Sequence, residues 1–268
     1  YNRREMESRC VFRPRYLNHV PVAGRRIPSG LACILREGRP DLVLVPEFSI
    51  LALEVCLLRA VFRWKFQIIS ICDDSMDMIR GYELSRLHAL ARKMAMPMID
   101  DVILPDSEAC RWYREHYGKG IFFPIVRDEQ AFRMQCREAL PVSLSLQEEY
   151  ALRGKKVVLY VGRLAPEKNL ECLVRAAASL PEDTVLVIVG SGSLKEELQH
   201  LAGRMQVSAI FPGWLEGVRL AAWYNLADIF VLPSLVEPFG AVVNDALAAG
   251  CFCLVSGRCG SSCLIRQG

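Results

Sequence analysis

Two carboxylates eight residues apart, Glu237 and Asp245, lie within a stretch from Pro233 to Leu247 that passes from a Pro/Ser/Gly turn into a helical pattern. The apolar run Ile229-Phe230-Val231-Leu232 just before it reads as a buried strand. A strand that feeds a glycine-flanked helix start at a sheet edge is an anion site. Free N–H groups and the helix dipole both point at the ligand there. Carboxylates beside a phosphate would repel it, so they must face other groups. Sugar and ribose hydroxyls are the natural partners, and the combination suggests a nucleotide-sugar site.

Three more loops after apolar runs carry residues suited to the same ligand. In Gly162 to Asn169, Arg163 and Lys168 lie between a strand and a helix start, where two cations can flank a diphosphate. Charge-assisted bonds to phosphate are worth about 1.5–3 kcal/mol each. By itself this loop also reads as a solvated connection in which Asn169 caps the helix. Gly190-Ser191-Gly192 lets backbone approach a ligand closely. Pro212 to Leu215 offers either a base-binding wall or a turn plugged by Trp214, with Leu215 as the candidate contact. No G-x-G-x-x-G opens a helix after these strands, which argues against a dinucleotide fold.

Elements that alternate along the chain must position these loops. Helical patterns are expected at 28–37, 50–63, 83–96 and 107–116, and strands at 41–45, 66–72, 101–104 and 121–126. From Asp128 to Arg153 the strand signal fades, charge rises and Pro141 intervenes, so this is the linker candidate. Strands at 157–161, 184–189, 207–211, 229–232 and 251–255 then alternate with helices at 170–180, 194–205, 218–226 and 241–249. Near-continuous Val/Ile/Leu strands are buried on both faces, as in parallel sheets. Two such blocks imply two doubly wound α/β domains. Ligands in such sheets bind beyond the carboxyl ends of the strands.

The chain has 268 residues, 52% of them hydrophobic, and a formal net charge of +3, too little to argue for nucleic acid. Nine arginines before Pro40 (3, 4, 9, 13, 15, 25, 26, 36, 39) face only Glu5, Glu7 and Glu37. That basic stretch is either a solvated face or an attraction to an anionic membrane or acceptor. Eleven cysteines, odd in number and scattered, with Cys33, Cys56, Cys72, Cys172, Cys251 and Cys253 in apolar runs, fit buried reduced thiols in a cytoplasmic protein. Cys259 and Cys263 lack a second ligand pair for zinc. No segment reaches about 18 uncharged apolar residues. The chain starts at Tyr1 and has no signal peptide, so a fragment is expected.

Gly162-Arg163-Leu164, Glu167-Lys168-Asn169, Gly190-Ser191-Gly192, Ala227 to Ser234 and Glu237-Pro238-Phe239-Gly240 follow one another in order. Together they resemble the C-terminal domain of retaining GT-B glycosyltransferases, in particular glycosyltransferase family 4, group 1. The resemblance runs from Val157 to Gly268, and more loosely over Pro28 to Val126. It implies an α/β GT-B fold of two Rossmann-like domains with parallel sheets, truncated at both ends. Residues 1–140 would be a partial acceptor-side domain, and 141–268 the donor-binding domain without its last strands and helix.

The resemblance also implies roles. Arg163 and Lys168 would hold the donor diphosphate, helped by backbone N–H groups at Phe239 and Gly240. Glu237 would bind the donor sugar, with Gly190, Gly192 and Leu215 lining the nucleotide. Asp245 would bind ribose. Relatives usually carry Glu there, and the shorter side chain leaves a gap of about 1.5 Å. No cofactor or metal is implied; Arg, Lys and a helix dipole would stabilise the leaving diphosphate. Asp73 or Asp74 stands where many relatives place a His, as an acceptor group or a solvated turn. His19, His88, His116 and His200 show no partner in the sequence pattern. The implied partners are a nucleotide-sugar donor and a glycan or lipid-linked acceptor in cell-surface polysaccharide synthesis. Peripheral membrane contact through the basic segment would fit a cytoplasmic protein. A catalytically impaired nucleotide-sugar-binding or scaffolding relative is the alternative.

Overall fold

A computed structural model describes residues 16–22, 25–80 and 86–265. In chain order the elements are β1 (Asn18–Val22), β2 (Arg25–Ser29), α1 (Leu31–Gly38), β3 (Leu42–Pro46), α2 (Ile50–Phe62), β4 (Gln67–Ile71), α3 (Met76–Arg80), α4 (Arg86–Ala95), β5 (Asp101–Leu104), α5 (Ser107–Tyr117) and β6 (Ile121–Phe122). Then come α6 (Glu129–Glu138), α7 (Leu140–Glu149), β7 (Lys156–Val161), α8 (Leu170–Ala177), β8 (Thr184–Val189), α9 (Lys195–Arg204), β9 (Ala209–Gly213), α10 (Gly217–Leu226), β10 (Ile229–Leu232), α11 (Val242–Ala249) and β11 (Phe252–Val255). Two compact units emerge. One holds Tyr1–Cys72 and Leu84–Ile103, the other Asp73–Glu83 and Leu104–Gly268.

In the first unit β1 and β2 form an antiparallel hairpin, and β3, β4 and β5 run parallel in that order. The hairpin takes the place of the expected helix start at Pro28. The core gathers Val45, Ala52, Val55, Cys56 and Ile68. Asp100 fixes the start of β4 by accepting from the Ile68 N–H at 2.6 Å and pairing with Arg59. Arg59 donates in turn to the Phe66 carbonyl at 3.0 Å.

The second unit is built on a five-stranded sheet of order β11-β10-β7-β8-β9, in which every adjacent pair is parallel. After its first residue each of β7 and β8 is buried throughout. That is what an uninterrupted Val/Leu/Ile strand covered by helices on both faces requires. The expected linker at 128–153 is instead two helices that belong to this core. Asp128 caps α6 by accepting from the Ala131 N–H at 2.9 Å, and Phe132, Cys136 and Ala139 put a buried stripe against the core. Pro141 sits in the first turn of α7, where a missing N–H costs nothing. Asn225 Nδ2 locks the packing, donating to the Cys136 carbonyl at 2.7 Å and to Ser143 Oγ at 3.2 Å. The strand expected at 121–126 is only two residues long.

The ten cysteines of the described residues are all free thiols. Seven are buried, but Cys33 and Cys172, expected inside, are exposed with Cys263. Burial pushes the thiols of Cys251 and Cys259 up to about 12 and that of Cys253 up to about 11. Among the described residues no helix is long and apolar enough to cross a membrane.

Phe132 is 3% exposed and meets Tyr224 edge-on at 5.7 Å. Phe132→Ala is therefore expected to cost about 3–5 kcal/mol of unfolding free energy, the range for deleting a buried aromatic. Urea denaturation followed by fluorescence would measure it. A loss below about 1 kcal/mol, typical of a surface change, would return this stretch to the status of a linker.

Candidate functional site

The sheet order determines where a ligand can enter. The chain leaves β7 toward β8 and β9, then returns to the other side of β7 to lay down β10 and β11. A parallel sheet opens a crevice at such a reversal, beyond the carboxyl ends of the two strands. Here the reversal lies between β7 and β10, and the loops after these strands carry Lys168 and Glu237.

The loops are drawn together by backbone contact. Gly162 N–H donates to the Val189 carbonyl at 3.0 Å, and Leu164 N–H to the Ser191 carbonyl at 2.9 Å. A Cβ at Gly190 would lie 1.8 Å from the Gly162 carbonyl oxygen, so only glycine fits there. Gly192 sits in the same close approach, against Leu164. These two glycines therefore pack loop on loop as well as bordering the crevice.

The loop after β7 is then tied to the loop after β10 by an ion pair and by hydrogen bonds. Lys168 Nζ meets Glu237 Oε2 at 2.5 Å. The Lys168 side chain is 9% exposed and that of Glu237 15%. Asn169 Nδ2 donates to the Pro233 carbonyl at 3.3 Å, and Leu235 N–H donates to the Glu167 carbonyl at 2.9 Å. Asn169 would cap a helix if this loop were only a solvated connection. It precedes α8 in a left-handed conformation, makes no cap bond with its side chain, and joins the two loops instead.

Beyond Glu237 the chain turns through Gly240 at φ +86°, where a Cβ would stand 2.7 Å from Leu232 Cδ2 and 3.2 Å from Glu237 Cγ. Among the described residues, no protein group accepts a hydrogen bond from the N–H of Phe239 or Gly240. Both N–H groups stand at the entry to α11, as an anion site needs. The Phe239 ring is buried, and its carbonyl accepts from Ser261 N–H at 2.7 Å. The Glu237 backbone bridges to Cys259, and the loop from Gly257 to Cys263 lines a cavity of about 340 Å³ faced by Asp106 and Glu108.

Asp245 lies on the first turn of α11, with its side chain 8% exposed. Arg127 Nε comes within 2.6 Å of its Oδ1. The approach lies off the N–H axis, so Oδ1 is ion-paired without a hydrogen-bond donor. Burial pushes the carboxyl up to about 6, with Arg127 pulling the other way. Arg127 carries no signal in the sequence pattern; only the fold brings it to α11.

Other candidates are less convergent. Arg163 is exposed and pairs with Glu167 at 2.9 Å, while its carbonyl accepts from Tyr160 Oη at 2.9 Å. Leu215 packs toward the core and lines a cavity of about 320 Å³ with Tyr150, Arg219 and Trp223. Asp74 is buried and accepts from Tyr113 Oη at 2.5 Å, so it is a core group rather than a solvated turn; Asp73 is exposed. His116 stacks on Trp112 at 4.1 Å and His200 is exposed, while the side chains of His19 and His88 lie outside the described residues. Of the nine N-terminal arginines, those from Arg3 to Arg15 also lie outside them. No three His, Cys, Asp or Glu side chains cluster to hold a metal among the described residues.

Asp245 gives the site a pH signature. An unfolded Asp titrates near pH 3.9, whereas the folded carboxyl titrates at about 6. The folded chain thus holds this proton more tightly. The resulting stability is complete below about pH 4 and is lost as pH rises through about 6. Asp245→Asn removes that loss. Its stability relative to the unsubstituted chain is expected to rise by up to about 3 kcal/mol between pH 4 and pH 7. Denaturant titrations at several pH values measure it, and a difference flat with pH would contradict the buried acid.

Comparison with known proteins places this arrangement. Residues 145–268 match the family of glycosyl transferases group 1. The chain is 39% identical over 239 residues to a GDP-mannose-dependent alpha-mannosyltransferase of Corynebacterium glutamicum, covering 87% of this chain and 54% of that protein. It is 34% identical over 169 residues to the GDP-mannose-dependent alpha-mannosyltransferase of Mycolicibacterium smegmatis, covering 61% of this chain and 39% of the relative. Across the curated relatives it matches, the chain spans from about a fifth to about half of their length. Among solved structures, Anabaena HepE in complex with UDP aligns with a TM-score of 0.73 at 16% identity, over 88% of this chain and 65% of that one. A sucrose-phosphate synthase from Thermosynechococcus elongatus aligns with a TM-score of 0.67 at 19% identity, over 92% and 67%. The fold is therefore GT-B, and it is residues 145–268 that carry the match to the glycosyl transferases group 1 family.

Proposed function

We propose that this chain carries the donor site of a retaining glycosyltransferase, which moves a sugar from a nucleoside diphosphate sugar to a glycan or lipid-linked acceptor. One observation carries the reading: the Lys168–Glu237 pair at the reversal of the sheet, beside the unpartnered N–H groups of Phe239 and Gly240. An ammonium and two N–H groups suit a diphosphate, and a carboxylate held in place by that ammonium suits sugar hydroxyls. Arg163, at the mouth of the same loop, would swing from Glu167 onto the phosphates. The curated relatives above are named for GDP-mannose, which makes a GDP-linked hexose the first donor to test.

In this reading the acceptor hydroxyl oxygen bonds to the anomeric carbon as the bond from that carbon to the β-phosphate oxygen breaks. The two events occur on one face, so configuration is kept. The acceptor proton passes to the leaving phosphate oxygen. Lys168, Arg163 and the N–H groups stabilise the charge that gathers on the diphosphate. Metal independence belongs to the same proposal, as do an acceptor in cell-surface polysaccharide and a peripheral position at the inner face of a membrane. A binding-only relative is the second reading, favoured by the engagement of Asp245 with Arg127.

Release of free nucleoside diphosphate from a panel of donors and acceptors tests the proposal. Turnover is expected to fall about 100-fold or more in Lys168→Ala and in Glu237→Ala, the scale of losing one preorganised electrostatic group. It should survive EDTA. Binding of a donor without turnover for any acceptor favours the second reading, and no binding removes both.

A further inference from the structure

The helix α2 is apolar on every side. Of its 13 residues only Glu54 and Arg59 carry charge, and Arg59 is engaged with Asp100. A helix of that kind is normally covered all round. One face of α2 is buried in its unit through Ala52, Val55 and Cys56. The other is open: Leu57 is 59% exposed, Val61 65% and Phe62 54%, with Leu57 and Val61 one turn apart. The chain then folds back on the helix end. Arg63 closes α2 in a left-handed conformation at φ +53°, and Trp64 N–H donates to the Arg59 carbonyl at 3.1 Å. Trp64 stacks on Phe62 with ring centroids 4.9 Å apart and meets the buried Phe66 at 6.2 Å. The exposed Phe62 ring thus rests on a ring that rests on the core. Arg63 and Lys65, on either side of Trp64 in the chain, are exposed, and neither has a partner among the described residues.

Charge is divided along the chain in the same sense. The unit that holds α2 carries 15 Lys and Arg against 8 Asp and Glu, a formal +7, whereas the other carries 18 against 22, a formal −4. A second copy seated two-fold on this face would set Arg63 and Lys65 against their own counterparts. Nucleic acid would suit the charge but leave Leu57, Val61 and Phe62 without apolar cover. An anionic lipid surface suits both. Its headgroup phosphates attract the cations, its acyl boundary covers the apolar side chains, and an indole belongs between the two. We propose that the end of α2, with Leu57, Val61, Phe62 and Trp64 flanked by Arg63 and Lys65, is the face with which this chain lies on a membrane rich in anionic lipid. The N-terminal arginines supply longer-range attraction, and α2 supplies the apolar contact. The inference gives a surface to the peripheral position proposed above and rests on that part of the reading. It is separable from the transferase reaction, because vesicle binding needs no sugar donor.

Flotation of the full 268-residue chain with lipid vesicles tests the inference. Binding is expected to vesicles of phosphatidylcholine and phosphatidylglycerol in equal parts, and not to phosphatidylcholine alone. Leu57→Gln/Val61→Gln should weaken binding about tenfold or more, the scale of withdrawing one apolar side chain from burial. Arg63→Gln/Lys65→Gln should weaken it about fivefold or more and reduce its sensitivity to salt. All four side chains are exposed, so both variants should keep the circular dichroism and unfolding temperature of the unsubstituted chain. Quenching of tryptophan fluorescence by brominated lipid should be largely lost in Trp64→Phe, which keeps a ring against Phe62. The inference is overturned if mixed vesicles do not bind the chain, if Leu57→Gln/Val61→Gln binds them undiminished, or if quenching persists in Trp64→Phe. It is also overturned if the chain sediments as a dimer without lipid and Leu57→Gln/Val61→Gln as a monomer, because a second copy then covers the face. Failure to release nucleoside diphosphate with a lipid-free acceptor would count against the donor reading alone.

Discussion

The site depends on an ion pair that is mostly out of water. Lys168 and Glu237 come from loops that follow different strands, and each would be costly to bury alone. Removing one partner would leave the other charge uncompensated in the loop junction, so neither loop can move far without losing the contact. The Asn169 and Leu235 hydrogen bonds reinforce the same junction with neutral groups. The pair therefore fixes the distance between the end of β7 and the turn into α11. It keeps Glu237 close in sequence to the N–H groups of Phe239 and Gly240, which donate to no protein group among the described residues.

Topology explains why that junction exists at all. β7 is laid down first and lies at the centre of its sheet; β10, added after β9, pairs on its open side. Two strands distant in sequence thus release their loops over one crevice. Glycine completes the arrangement, because the β7 and β8 loops touch through backbone alone. Helices that cover both faces keep β7 and β8 dry. The side chains above them can then be placed by loop geometry rather than by flexible strands.

Much of this was legible in the residues. Uninterrupted apolar strands, glycine-rich turns and the ordered run of loops from Gly162 to Gly240 announce a doubly wound sheet and its ligand edge, because each is a local pattern. The stretch from Asp128 to Arg153 was not. Its Ser-Leu-Ser-Leu alternation has a two-residue period, and the helical spacing of Phe132, Cys136 and Ala139 is masked by surrounding charge. Asn169 and Asp74 misled for a different reason. Each has a common local use, capping or solvation, that a distant partner overrode: Pro233 for one, Tyr113 for the other. Arg127 could not have been found from spacing. The contact of its neighbour Ile125 with Asn244 spans 119 positions, and only packing of α6 on α11 creates it.

The distribution of cysteines sets how this protein fails. Folded, its buried thiols are shielded and strongly disfavour the reactive thiolate. Unfolding releases all of them at once into a chain that already carries exposed thiols at Cys33, Cys172 and Cys263. Exchange and cross-linking then compete with refolding, and every wrong pair removes molecules from the reversible equilibrium. Durability under oxidising conditions is thus governed by how seldom the chain opens, while under reducing conditions it is governed by how stable the chain is.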